Sequence, residues 1–159
     1  MAEIGPDNQF GIVPCEQRTA MTGFEFISAV GRGEFPQPPI TKLLKLRIET
    51  VERGKVAFRG QPSNEMTNPM GTVHGGWYGT ILDSAMGCAV MTVLEKNRMY
   101  TTLEFKVNLT RALPIGMEAL AIGEVMHAGR STAVANGRLE DLDGRLYAFS
   151  TSTCILFDK

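Results

Sequence analysis

Residues 76–94 read GWYGTILDSAMGCAVMTVL, nineteen positions in which Asp83 is the sole charge. A run that long and apolar is either a membrane span or a helix that a domain buries at its centre. Three glycines, a few hydroxyls and an acid near the middle argue against the span, and no second segment of the chain resembles a bilayer partner. The spacing predicts a buried helix, apolar on all sides. Such a helix needs cover on the side facing away from its own sheet, and a second copy of the chain is the economical cover.

C-terminal to this helix, Leu103, Phe105, Val107 and Leu109 alternate with Thr102, Glu104, Lys106 and Asn108. Period two over this length predicts a strand across 101–113 with one buried face. It puts Thr102 on the polar face. Three more strands are expected over 117–128, 131–142 and 145–157, separated by the turn signals Gly129-Arg130 and Asp143-Gly144.

On the N-terminal side, 45–61 reads as two strands meeting near Arg53-Gly54, and 62–69 as a polar loop. Residues 21–33 read as a short helix, with Thr22 and Glu25 in capping-box spacing, and Pro36, Pro38 and Pro39 then break the chain. Helices and strands in this order give an α+β plan, an antiparallel sheet wrapped round one long central helix.

The 159 residues, 43% hydrophobic and 21% charged, suit one globular domain and rule out two large ones. Net charge is −1, so no basic field exists to hold a nucleic acid. Cys15, Cys88 and Cys154 are odd in number and widely spaced, which fits neither a disulfide framework nor a zinc site, and no metal is expected. Glu3, Asp7, Pro6 and Pro14 leave no apolar signal core near the start, so a cytoplasmic protein with no membrane partner is expected.

Chemistry concentrates at 68–83, NPMGTVHGGWYGTILD. Gly75 and Gly76 stand where loop becomes helix, and free N–H groups there, with the helix dipole, would stabilise an oxyanion. Tight packing at a turn is the alternative. Asp83 on a buried helix costs several kcal/mol unless compensated, about 3–5 for an uncompensated charge, so it is a structural ion pair, a general base or a nucleophile. His74 can equally be a helix-start residue whose ring bonds the backbone, Asn68 an ordinary turn residue, and Trp77 core or pocket wall. Nine positions separate His74 from Asp83, about 13 Å along a helix, so the two ends of the motif cannot share one bond within one helix. Two such helices lying antiparallel across a dimer interface would bring Asp83 of one beside Gly75 of the other.

The motif Asn68-x-x-Gly71-x-x-His74-Gly75-Gly76, followed by Asp83 and a run of antiparallel strands, resembles the hotdog-fold acyl-CoA thioesterases of the phenylacetate-degradation type. The match spans about residues 45–157 in element order. Residues 1–40 fall outside it as a helical extension or arm, and 41–159 form a single hotdog domain. The resemblance implies hydrolysis of an acyl-CoA thioester. The Gly75 N–H would bind the carbonyl oxygen with help from Asn68, Asp83 would activate water or attack directly, His74 would lie near the leaving sulfur, and Thr102 would orient the acid or the water. It also implies a homodimer and a homotetramer, with coenzyme A as part of the substrate and no retained cofactor. Gly76 and Trp77 would contact substrate, and Arg130 with Ser131 marks either the place where the nucleotide is met or a solvated turn. An apolar acyl pocket lined by residues such as Trp77, Met86 or Phe105 is expected. The alternative is a non-catalytic acyl-CoA-binding hotdog protein.

Overall fold

The computed structural model describes residues 10–159; the charged and proline-bearing start that bears on a signal sequence lies largely outside them, as do residues 1–9 of the expected arm. Among the described residues four α-helices, α1 (Cys15–Thr19), α2 (Gly23–Gly31), α3 (Pro39–Leu43) and α4 (Gly75–Met91), accompany six strands. The strands are β1 (Leu46–Glu52), β2 (Lys55–Gly60), β3 (Arg98–Leu109), β4 (Ala119–Ala128), β5 (Thr132–Asp141) and β6 (Leu146–Asp158). All pair antiparallel in one sheet of order β1-β2-β4-β5-β6-β3, so β1 and β3 are its edges.

The long helix packs against this sheet through Ile81, Leu82, Met86 and Val90, none of which reaches solvent. Its backbone comes unusually close to the sheet. Gly123 of β4 makes that approach possible, since a Cβ there would collide with the Ala85 carbonyl group. The expected helix, the strands and the two-residue turn at Arg53-Gly54 are all present, and α2 carries a complete Thr22–Glu25 capping box.

Three features differ from expectation. The prolines at 36–39 do not simply break the chain: Pro38 caps α3 and Pro39 is its first residue, where a ring-fixed φ suits a helix start. The long helix is not apolar all round. Gly76, Thr80, Asp83, Ser84 and Cys88 form a stripe that is exposed or half-buried, and the Thr80 and Ser84 hydroxyls donate back to the carbonyls of Gly76 and Thr80. The helix is covered elsewhere by the sheet and, near its C-terminal end, by α2, whose Gly23 N–H donates to Leu94.

The third difference concerns β3. Its apolar row is open, with Leu103 58%, Phe105 43% and Leu109 53% exposed. Edge position explains it, since β3 pairs only with β6 and nothing among the described residues lies along its other side. A bulge also shifts its phase. Thr102 pairs with Cys154 and Glu104 with Thr153, so Leu103 is an extra residue in the ladder. Alternation therefore slips by one, and Thr102 and Phe105 both face α4, against Asp83 and Gly79 respectively.

Candidate functional site

Two groups of candidate residues lie along α4, one at its start and one at its middle. The start is built by the loop before it. Asn68 accepts from the backbone N–H groups of Met70 and Thr72 at 3.0 and 3.2 Å, and its amide donates to the Thr72 hydroxyl at 2.8 Å. The side chain thus ties the loop into a closed turn. His74 is the helix cap, its Nδ1 accepting from the Gly76 N–H at 2.9 Å. That geometry puts the ring proton of the neutral form on Nε2.

The cap has a chemical consequence. One of the first free N–H groups of the helix, that of Gly76, is occupied by His74, while the Gly75 N–H has no acceptor among the described residues. It stands beside a cleft of about 350 Å³ lined by Asn68, Thr72, Tyr78, Leu109 and Arg111. A free amide at the start of a seventeen-residue helix, carrying the dipole's partial positive charge, is a donor poised for an anionic oxygen.

Asp83 sits eight residues on, about 12 Å along the axis. The Thr102 hydroxyl donates to its Oδ1 at 3.0 Å, and Oδ2 accepts from no described residue. Burial raises the Asp83 carboxyl above the ordinary aspartate range, and the Thr102 hydrogen bond partly offsets this. No basic group forms an ion pair with it among the described residues. The structural-pair alternative therefore has no partner. Its neighbours are apolar or inert: burial pushes the Cys88 thiol up to about 12, and the Tyr100 hydroxyl is raised for the same reason.

Asp83, Ser84, Cys88 and Thr102 line a second cavity, of about 550 Å³, whose apolar wall includes Ile27, Val30, Phe58, Met91 and Tyr100. Residues of the N-terminal segment close it, among them Val13, Pro38 and Thr41. Only the apolar character of such a pocket was legible in sequence; its walls were not. Trp77, Met86 and Phe105 do not line it. Trp77 is buried behind the helix start and donates its indole N–H to the Leu44 carbonyl, Met86 packs on Gly137 and Ser150, and Phe105 covers Gly79.

The structure thus brings Asn68, His74, Gly75 and Gly76 together at one end and Asp83 with Thr102 at the other, and does not join the two groups within one chain. Arg130 and Ser131 form the exposed turn between β4 and β5, where the Arg130 carbonyl accepts from Arg98. This turn lies at the Thr102 end of the sheet, since Ala133 pairs with Cys154, which pairs with Thr102. No described helix is long and apolar enough to cross a membrane, and the described residues hold no cluster of metal ligands.

The geometry has counterparts. The family model of the Thioesterase superfamily matches residues 70–148, which include the Gly75 amide, Asp83 and Thr102. A thioesterase family protein from Silicibacter pomeroyi has a solved structure 30% identical to this chain, with 83% of this chain and 98% of that one covered and a TM-score of 0.75. A phenylacetic acid degradation-related protein from Ralstonia eutropha JMP134 is 28% identical over 82% of this chain and 98% of its own, with a TM-score of 0.75. The 1,4-dihydroxy-2-naphthoyl-CoA hydrolase of Listeria monocytogenes is 24% identical over 120 residues, 76% of this chain and 97% of that protein. Sheet order, buried helix, matched residues and these likenesses agree, and the chain belongs to the hotdog-fold thioesterase superfamily.

Proposed function

We propose that this protein hydrolyses acyl-CoA thioesters to the free acid and coenzyme A, in sites shared between two subunits. The observation that carries this reading is the pairing of a free Gly75 amide at the start of α4 with an unpaired, half-buried Asp83 on the same helix. Both are what thioester hydrolysis asks of a protein: a donor for the oxyanion and a base or nucleophile for the carbonyl carbon.

About 12 Å separates them in one chain, too far to serve one carbonyl. An antiparallel dimer brings Gly75 of one subunit to Asp83 of the partner subunit, and the unpaired apolar edge of β3 offers the surface for it. In such a site the thioester oxygen accepts from the Gly75 N–H, with Asn68 holding the loop. Asp83 takes the proton of the attacking water, or attacks itself and is released by water, and the tetrahedral intermediate collapses with loss of the thiolate. His74 keeps Gly76 engaged and presents Nε2–H towards the leaving sulfur. Thr102 holds the carboxylate in place. Coenzyme A arrives with the substrate and leaves as product, so no retained cofactor or metal takes part, and the Arg130–Ser131 turn is the proposed contact for its nucleotide end. A homotetramer would pair two such dimers.

Release of free thiol from a panel of acyl-CoA esters tests the reading directly. Turnover of at least one ester is expected. Tight binding of the esters with no thiol released would make the protein a binding module instead.

A further inference from the structure

Strand β3 runs antiparallel to α4 and meets it once per helical turn. Leu109 lies beside Gly75, Phe105 beside Gly79, Thr102 at Asp83 and Tyr100 over Gly87. Each of these helix positions is four residues from the next, about 6 Å along the axis. The face of α4 turned to β3 is therefore glycine at three turns and an acid at one. Tyr100 and Thr102 share a face of the strand, pairing with Leu156 and Cys154 of β6, and both line the cavity that holds Asp83.

The Gly87 turn is built around the Tyr100 hydroxyl. A Cβ at Gly87 would collide with that oxygen and with the ring carbon bearing it, so only glycine lets the phenol reach the helix backbone. Glycine is a poor residue for a helix interior, and room for this ring accounts for it. The ring delivers a polar atom to the cavity and leaves it unused. No described residue hydrogen-bonds the Tyr100 hydroxyl, and it is not one of the polar atoms shut off from solvent. Asp83 Oδ2 is in the same condition one turn away, open to the cavity and without a donor, while Thr102 holds Oδ1. Burial first, then nearby negative charge including that of Asp83, raises the hydroxyl well above the ordinary tyrosine range. The phenol therefore stays protonated and acts only through hydrogen bonds. A donor without an acceptor and an acceptor without a donor, one helical turn apart, are separated by the span of one water, since two hydrogen bonds of about 2.8 Å reach about 5.6 Å.

We propose that Tyr100 positions the hydrolytic water, which accepts from the Tyr100 hydroxyl and donates to Asp83 Oδ2. The inference rests on the thioesterase reading and deepens it, since it makes water the nucleophile and Asp83 the base. With one lone pair held by Tyr100 and one proton by Asp83, the second lone pair of the water is the one aimed at the carbonyl carbon. The water oxygen bonds to that carbon as its proton passes to Oδ2, and the C=O electron pair moves onto the oxygen held by the Gly75 N–H of the other subunit. When the carbonyl re-forms, the C–S bond breaks, and the sulfur leaves with the bonding pair and takes the proton from Asp83. Acid and thiol are the products, and Tyr100 is unchanged.

Tyr100→Phe keeps the ring against Gly87 and removes only the oxygen. In the full chain, with the acyl-CoA ester that the parent turns over fastest, kcat is expected to fall about 10- to 100-fold while the ester's Kd and the melting temperature stay near the parent's. Asp83→Asn removes the base for which the water is held, so adding Tyr100→Phe to it should cost no more than about a further twofold. Losses that multiply, a Tyr100→Phe variant within about twofold of the parent, or a loss confined to KM would show that the hydroxyl only fills space, and each overturns the proposal. A single turnover of the parent in heavy-oxygen water is a check that does not depend on how any variant folds. Label is expected in the released acid; label on Asp83 means direct attack by the carboxylate and overturns the proposal. Thiol released from no ester refutes the thioesterase reading, whereas thiol released as fast without the hydroxyl refutes only the role of Tyr100.

Discussion

Gly75→Pro removes the proposed oxyanion donor without removing the helix. Proline has no N–H, so the one atom assigned to the thioester oxygen disappears. At most positions the change would also wreck the fold, but here the surroundings accept it. Gly75 is the first residue of α4, where the N–H makes no intrahelical bond and a proline φ is favourable. The residue before a proline must be extended, and His74 already has φ −64° and ψ 136°. Around the new Cβ the nearest heavy atom is Leu109 Cδ1 at 3.7 Å, ordinary contact distance. Removing one oxyanion donor costs about 3–4 kcal/mol of transition-state stabilisation, which is about 100- to 1000-fold in kcat. Replacing glycine by proline at a compatible position stabilises by about 0.4–1 kcal/mol through the unfolded chain. The expected variant therefore melts no lower than the parent and hydrolyses acyl-CoA at least about 100-fold more slowly. Thermal unfolding and a thiol-release assay on the same preparation measure both. Turnover within threefold of the parent, in a variant that folds, would show that the Gly75 amide does not hold the developing charge.

Asp83→Asn should lower turnover by about 100-fold or more while leaving ester binding near the parent's, measured by steady-state kinetics and calorimetry. Its stability should change with pH in a defined sense. Burial raises the Asp83 carboxyl, so the fold loses stability as pH climbs from the unfolded aspartate range, about 4, through the higher folded value. The asparagine variant escapes that loss, so its melting advantage should be present at neutral pH and vanish in acid. Co-refolding equal amounts of Gly75→Pro and Asp83→Asn chains should restore activity: random pairing makes half the dimers mixed, each with one intact site, or about a quarter of parental turnover. Mixed dimers verified by mass yet inactive would rule out the shared site. Thr102→Val removes the hydroxyl that favours the Asp83 carboxylate, so the acid limb of the pH–rate profile should move to higher pH, and Thr102→Ser should leave it in place.

Periodicity made most of the fold legible. The run 76–94 carried its helix because only one charge interrupts it, and β4, β5 and β6 were bounded by turn residues at Gly129 and Gly144. The short helices α1 and α3 were not visible, since five residues carry too little pattern to separate them from loop. The motif at 68–83 pointed to the right segment, and the His74 cap follows from the common preference for a side chain that accepts at a helix start. The exposure of Phe105 and Leu109 was not legible, because alternation reports which residues share a face and not whether the chain itself covers it. Neither was the wall that Val13, Pro38 and Thr41 give the Asp83 cavity: they reach it from positions 42 or more residues away, by folding back of the N-terminal segment, and no local pattern announces that.

The extra residue in β3 bears on how this strand could change by descent. Residues 98–102 and 104–109 each keep a strict alternation, offset by the single position Leu103. Loss of Leu103 would leave Thr102 still turned to the helix, Glu104 away from it and Phe105 towards it, in one unbroken ladder. That deletion therefore spares the facing of every neighbour, whereas the same loss anywhere else in the strand reverses all side chains on one side of it. The strand is divided into two lengths free to diverge separately, the first beside the acid and the second alongside the helix start, and loss of one residue has a single harmless place to occur.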